Sequence, residues 1–441
     1  MSRIDGPRLL KDLHELRAIG AHRSGVHRPT YSPEDMKARH WLAARLTDAG
    51  LTPEIDGIGN VIGRADSPRG GQAGAPGGVQ SGVQSGVQSD GQAGGRTGGQ
   101  TGGHGDDDGR RLLIGSHLET QPYAGWLDGA MGVIYGLEIA RALGGRGIDV
   151  VGWADEEGHY GSFLGSRSFC GLVDEAELDA AHNRHNGTSL RDALRQAGLA
   201  GRPRAVIDPA RYLGYLEAHI EQGAELDDSG QLLGVVTSIV GARNFRIAFE
   251  GVQNHAGTTR MAVRQDAGTA LVRLAAAIDR RFPHVAGPRS VWTIGRITLD
   301  PGAPSIVPGR AEMLFQFRDT DSAVLDRLSA ELDALVAEAA KGPCRVTVEN
   351  LSVSVPTAMD AGFQDLLARA AEHYAPGRVV QMPSGAGHDA QILAKCLPAA
   401  MLFVPSIGGI SHHWAEDTKE DDIVLGCAAL ADAAAQILGV A

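Results

Sequence analysis

Five side chains of the metal-binding kind recur at comparable places in the chain: His117, Asp128, Glu157, His219 and His412. Imidazole and carboxylate groups hold divalent ions when rigid elements fix several of them around one point. Five donors exceed one tetrahedral ion but suit two ions that share a bridging carboxylate. Asp128 is the natural bridge, with a histidine and one further ligand completing each ion. Beside Glu157 stands Glu156, and successive side chains cannot leave a strand end in the same direction. One of the pair can bind metal while the other faces the attacking water as a general base and passes its proton to a leaving nitrogen. A single histidine and a single aspartate would prove nothing; the repeated placement carries the argument.

That placement comes from the elements around the donors. The apolar run Leu112-Leu-Ile114 reads as a buried strand delivering His117 to its carboxyl end. Asp128 and Gly129 stand before a helical pattern, Met131 to Leu143. Val150 to Ala154 is a second strand and runs into Asp155-Glu-Glu-Gly158; Tyr212 to Ala218 is a third and ends in His219. Ala400 to Val404 leads into Ile410-Ser-His-His413. Strand, helix, strand in this order implies an α/β fold with a mostly parallel sheet, whose sites gather at the carboxyl ends of the strands.

The rest of the chain supplies the frame. Residues 4–50 read as helical, with Ser32-Pro-Glu-Asp35 as a helix start, and Thr52 to Arg64 as strand, turn and strand. Residues 67–110 are Gly- and Gln-rich with almost nothing apolar to bury, which predicts a flexible insertion. From near Gly234 the rhythm becomes strand, helix, strand, strand, helix, strand, up to Ser354. We therefore expect a catalytic domain over 1–230 and 356–441, interrupted by a two-layer α/β unit over 231–355.

A chain of 441 residues is too long for one typical core, which agrees with two domains. A net charge of −12 argues against nucleic acid or an anionic membrane as the main partner. No apolar run has the length of a membrane-crossing helix, and no apolar signal-peptide core opens the chain. The four cysteines are far apart and in no metal-ligand spacing, so they read as reduced packing residues of a cytosolic protein.

With these motifs in order, the chain resembles the hydantoinase/carbamoylase-type amidases. The resemblance rests on Gly115-Ser-His-Leu-Glu-Thr120, Leu127-Asp-Gly-Ala130, Asp155-Glu-Glu-Gly158, His219-Ile-Glu-Gln-Gly223, His255-Ala-Gly-Thr-Thr259, Ser384-Gly-Ala-Gly-His-Asp-Ala390 and Gly409-Ile-Ser-His412. These amidases are a branch of the aminoacylase and carboxypeptidase-like di-metal hydrolases that includes N-carbamoyl-L-amino acid hydrolases, β-ureidopropionases and allantoate amidohydrolases. The resemblance implies His117, Asp128, Glu157, His219 and His412 as ligands of two divalent ions (Zn²⁺, Mn²⁺, Co²⁺ or Ni²⁺), with Glu156 as catalytic base. It prefers His412 to its neighbour His413. It further implies a homodimer joined through the inserted unit, with His255 reaching the partner's site to stabilise an oxyanion. Arg318 would clamp a substrate carboxylate, and Gln222, His388 and Ser305 would stand on the substrate side.

Four positions depart from the pattern. Glu119 stands where aspartate is usual behind the first ligand, and its longer carboxylate would orient His117. Ser305 replaces a usual asparagine, Gln316 an aspartate two residues before Arg318, and Arg260 a proline. Trp126 and Trp414 flank ligand motifs and read as packing residues before substrate contacts. The expected activity is hydrolysis of a small N-carbamoyl amino acid or related ureido acid. The alternatives are an N-acyl amino acid amidase or dipeptidase on the same scaffold and, from a different class, a binding protein that has lost catalysis.

Overall fold

The computed structural model describes residues 4–65 and 109–440. The insertion expected over 67–110 therefore lies, through residue 108, outside the described residues. The larger unit is built on a mixed nine-stranded sheet whose four central strands run parallel: Ile148–Trp153, Arg111–His117, Tyr212–Ile220 and Ala399–Val404. Every residue of Arg111–His117 is buried, as a strand covered on both faces requires. One face is covered by the helices Gly6–Arg17, Pro33–Asp48, Ala130–Ala142, Ala361–Tyr374 and Glu420–Ile437, whose apolar stripes share one core. The short helices Leu164–Phe169 and Ala390–Leu393 help cover the other. Ser32 starts its helix as expected: its hydroxyl accepts from Asp35 N, with Pro33 in the first turn.

The order of the strands reverses at the His117 strand, which runs parallel to both of its neighbours. From Arg111–His117 the chain passes through helix Ala130–Ala142 to Ile148–Trp153 on one side, and later returns as Tyr212–Ile220 on the other. A crevice opens at such a switch point beyond the carboxyl ends of the strands, and His117 is the last residue of its strand.

The second unit is a four-stranded antiparallel sheet in the order Val291–Asp300, Arg310–Asp319, Gly241–Glu250, Arg345–Ser354. Helices Ala267–Arg281 and Ser322–Ala339 cover one face over a core of Phe245, Ile247, Phe249, Phe315 and Phe317. One strand inside the expected 231–355 stretch belongs elsewhere. Leu233–Ile239 pairs with Ala399–Val404 and Val379–Ser384 in the large sheet, so the antiparallel unit begins at Gly241. Local patterning does not encode which sheet a strand joins. Among the described residues no helix is long and apolar enough to cross a membrane, and the four cysteines form no disulfide.

Candidate metal centre

Four elements and one loop converge above the central strands. His117 ends its strand, His219 is the penultimate residue of Tyr212–Ile220, Asp128 precedes helix Ala130–Ala142, and Glu156 and Glu157 follow Ile148–Trp153. His412 comes from the loop before the last helix. Asp128 lies at the centre of the group. Its Oδ1 is 3.0 Å from His219 Nε2 and 3.8 Å from His117 Nε2. Its Oδ2 is 3.2 Å from His412 Nε2, which in turn is 3.7 Å from Glu157 Oε1. Two groups of side chains able to hold an ion share Asp128: His117, Asp128 and His219, and Asp128, Glu157 and His412; His117, Glu156 and Glu157 form a third. Glu156 Oε2 lies 3.8 Å from His117 Nε2, beside the first set.

The imidazoles are turned for coordination. His117 Nδ1 donates to Glu119 O at 3.0 Å and His219 Nδ1 to Ile220 O at 2.9 Å, which turns each Nε2 toward Asp128, and His219 Nε2 also accepts from Gly129 N at 3.1 Å. The carboxylate of Glu119 does not orient His117, contrary to expectation. Its Oε1 is 3.9 Å from Nδ1 and instead accepts from Glu156 N, while Oε2 accepts from Arg39 Nη2 at 2.9 Å. The longer side chain reaches past the ring and fixes the acidic loop.

The donor set fits divalent ions. Asp128 Oδ2 and Glu157 Oε1 are buried and accept no hydrogen bond among the described residues, a costly state that a cation relieves. The electrostatics agree. Burial, then Asp128, push Glu157 up to about 7. Burial and Glu157 push Glu156 well above the usual range. Burial opposes a charge on His219, but Asp128 carries it up to about 8. His412 rises to about 9, chiefly through Asp128. These retained protons offset the crowded charges, and divalent ions displace them on binding. Backbone strain collects here too: Asp155, Gln222 and His412 all have φ between 54° and 60°.

The profile of peptidase family M20/M25/M40 matches residues 113–436. The chain belongs to this family. Within it, the chain falls in the hydantoinase/carbamoylase amidase branch. It is 30% identical to an N-carbamoyl-L-amino acid amidohydrolase of Geobacillus stearothermophilus over 97% of both chains. It is also 30% identical to an allantoate amidohydrolase of Escherichia coli over 94% of both. A crystal structure of a hydantoinase/carbamoylase-family amidase from Burkholderia phymatum superposes with a TM-score of 0.81 at 48% identity, covering 99% of this chain and 98% of that one. The protein is an amidohydrolase of the M20 family acting on C–N bonds.

The M20 cluster gathers some of the expected substrate-side residues and not others. Gln222 sits on it, with Nε2 donating to Asp128 Oδ1 at 3.0 Å and lying 3.3 Å from His412 Nε2. His388 is buried, its ring 4.6 Å from that of His219; burial and the neighbouring His219 keep it neutral. Arg318, from the smaller unit, donates through Nη1 to Gly385 O at 3.2 Å, in the loop that carries His388. His255 and Ser305 stay within the smaller unit and bond each other's neighbourhood: Ala256 N donates to Ser305 O, and the His255 ring accepts from Gly257 N and Thr258 N. The His413 ring lies tilted against Trp414, 4.8 Å between centroids, and accepts from Ala415 N. Trp126 is a packing residue, buried between His14 and Arg17.

Glu416 escaped the sequence reading. It is buried behind the cluster, where it accepts from Leu127 N, Asp128 N and Ser411 Oγ and so ties the Asp128 loop to the His412 loop. A Cβ on Gly125 would lie 1.9 Å from the Glu416 carboxylate, which explains glycine there. The only signal was an acid four residues after His412.

Proposed function

We propose that this amidohydrolase is a cytosolic homodimer that cleaves the C–N bond of a small N-carbamoyl amino acid or related ureido acid, giving the amino acid, carbon dioxide and ammonia. Arg318 carries the reading. It is half-buried and meets no carboxylate among the described residues; its Nε donates to the neutral Gln316 Oε1 at 2.7 Å. A guanidinium left unpaired beside the cluster loop suits the carboxylate that every N-carbamoyl amino acid carries. The names of the Geobacillus and Escherichia relatives point to the same substrate class.

His117, Asp128 and His219 would hold one ion, and Asp128, Glu157 and His412 the other. When bound, the ions supply Lewis acidity to the substrate carbonyl and to the attacking water. Glu156 takes the water's proton and returns it to the leaving nitrogen, a task suited to a carboxyl group whose burial favours the protonated form. His255 has its Nδ1 occupied by two main-chain donors, so Nε2 carries the hydrogen that can reach an oxyanion. That ring is exposed, and Val348, Leu351 and Val353 lie exposed on the edge strand Arg345–Ser354 of the same unit, which supports pairing with a second copy. Gln222, His388 and Ser305 orient the substrate.

The test is product analysis on protein loaded separately with Zn²⁺, Mn²⁺, Co²⁺ and Ni²⁺. The panel holds N-carbamoyl-α-amino acids of both hands, N-carbamoyl-β-alanine, allantoate and N-acetyl amino acids. Metal-dependent ammonia from a carbamoyl compound is expected. Free amine from the acetyl compounds alone would make the protein an N-acyl amino acid amidase or dipeptidase.

A further inference from the structure

Beside the cluster stands a cation that the reaction above does not use. Gln121 Nε2 donates to Glu157 Oε2 at 2.5 Å, and Gln121 Oε1 accepts from Arg184 Nη2 at 2.6 Å. The arginine thus reaches the ligand set through one side chain and does not touch it. Its own backbone is fixed: Arg184 N donates to His159 O at 2.9 Å, two residues beyond Glu157. The buried Asn183 closes the turn by accepting from His185 N and Asn186 N. The backbone is fixed by these bonds, and the guanidinium is held by Gln121 Oε1 and His185 Nε2.

Arg184 also lacks what its neighbours have. Arg167, Arg191 and Arg195 each pair with a carboxylate, at 2.7, 2.5 and 2.5 Å. Arg184 bonds only Gln121 Oε1, His185 Nε2 and His159 O among the described residues, none of them charged oppositely. Its side chain is exposed. Burial and then the Arg184 charge lower His185, as a guanidinium without a counter-charge should. In a chain of net charge −12, an unneutralised arginine held next to a metal cluster is an unusual place to leave a cation.

We propose that Gln121 and Arg184 form a second anion subsite, so that the substrate is a ureido acid with two carboxylates. The inference rests on the ureido reading and deepens it: Arg318 takes the carboxylate next to the scissile nitrogen, and Arg184 takes the one on the side chain. Planar guanidinium groups bind carboxylates through two parallel hydrogen bonds, and Gln121, whose Nε2 donates to Glu157, positions the Arg184 guanidinium through its Oε1.

The experiment compares kcat/KM for N-carbamoyl-aspartate and N-carbamoyl-alanine in the metal-loaded wild type, Arg184→Gln and Arg184→Lys. The dicarboxylate should be preferred by wild type, Arg184→Gln should lower the preference by roughly tenfold or more, and Arg184→Lys should recover part of it. A general loss of folding or metal lowers both substrates alike and leaves the ratio unchanged. Isothermal titration with aspartate and alanine, as the two amino acid products, reads the subsite without turnover. If wild type hydrolyses no ureido acid but binds aspartate more tightly through Arg184, the subsite stands and the reaction assignment falls. A preference for the alanine compounds, or a ratio indifferent to Arg184→Gln in both assays, overturns the proposal.

Discussion

Replacing Glu416 with alanine tests whether the two ligand loops are held from behind. This carboxylate is 1% exposed; Oε1 accepts from Leu127 N at 3.2 Å and Asp128 N at 3.1 Å, and Oε2 from Ser411 Oγ at 3.0 Å. Without it, two main-chain N–H groups are buried with no acceptor, at about 1–3 kcal/mol each and so about 2–6 kcal/mol together. Water entering the space relieves part of that cost, and the rest appears as a looser Asp128. Loss of a partner behind a metal ligand commonly weakens metal binding about 10- to 100-fold, and that is the loss expected for Glu416→Ala. Glu416→Gln should cost less than about 1 kcal/mol, because its carbonyl still serves both N–H groups and its amide can donate to Ser411. Burial and the nearby Asp128 hold the Glu416 carboxyl up at about 8, so a neutral amide resembles the group it replaces. The assay is competition with a chromophoric chelator, with circular dichroism showing that each metal-free variant is folded. Wild-type affinity at both sites in Glu416→Ala, or equal damage in the two variants, would refute the reasoning.

Glu156→Gln should lower kcat by about 100- to 10,000-fold while metal content is unchanged, because it removes the proton carrier and no ligand; a matching loss of metal would make Glu156 a ligand. Gly129→Ala should displace His117 and reduce metal loading, since the added Cβ would lie 2.4 Å from the ring at a φ of +67°; elemental analysis reads the result. Removing metal should destabilise the protein more at pH 7.5 than at pH 5. Burial and Asp128 raise Glu157 to about 7, so the stability that its proton contributes to the metal-free fold is fully present below the unfolded carboxylate range and is lost as pH rises through about 7. Bound ions favour the ionised carboxylates and remove that loss, so the melting-temperature gap with and without chelator should widen with pH; a gap that narrows would count against it.

The residues that converge on the candidate centre are legible because each follows a local signal. Buried parallel strands are apolar throughout, so a histidine or an acid at the end of such a run, as at His117 and Glu157, breaks the pattern visibly. The same logic recovered the alternation of the smaller unit. Val379–Ser384 was missed because its half-buried, Pro-containing sequence has neither a full apolar run nor a clean alternation. Leu233–Ile239 falls inside the stretch expected for the smaller unit, but its partners, Ala399–Val404 and Val379–Ser384, lie far along the chain. Glu416, Gln121 and Arg184 contact residues far away in sequence, and nothing in their flanking residues distinguishes them from other polar side chains. Glu119 shows the limit from the other side: the residue was singled out, but only the fold reveals that its main-chain oxygen orients His117 and its carboxylate holds Glu156 N.

The central claim is that two ions share Asp128. Metal content of the wild type and of Asp128→Asn, measured by mass spectrometry after equilibration with Zn²⁺ or Mn²⁺, tests it most directly. Two ions per chain in the wild type, and both lost together in Asp128→Asn, is the predicted result. A wild type that never holds more than one ion, or an Asp128→Asn variant that keeps one at undiminished affinity, would contradict the shared-carboxylate centre.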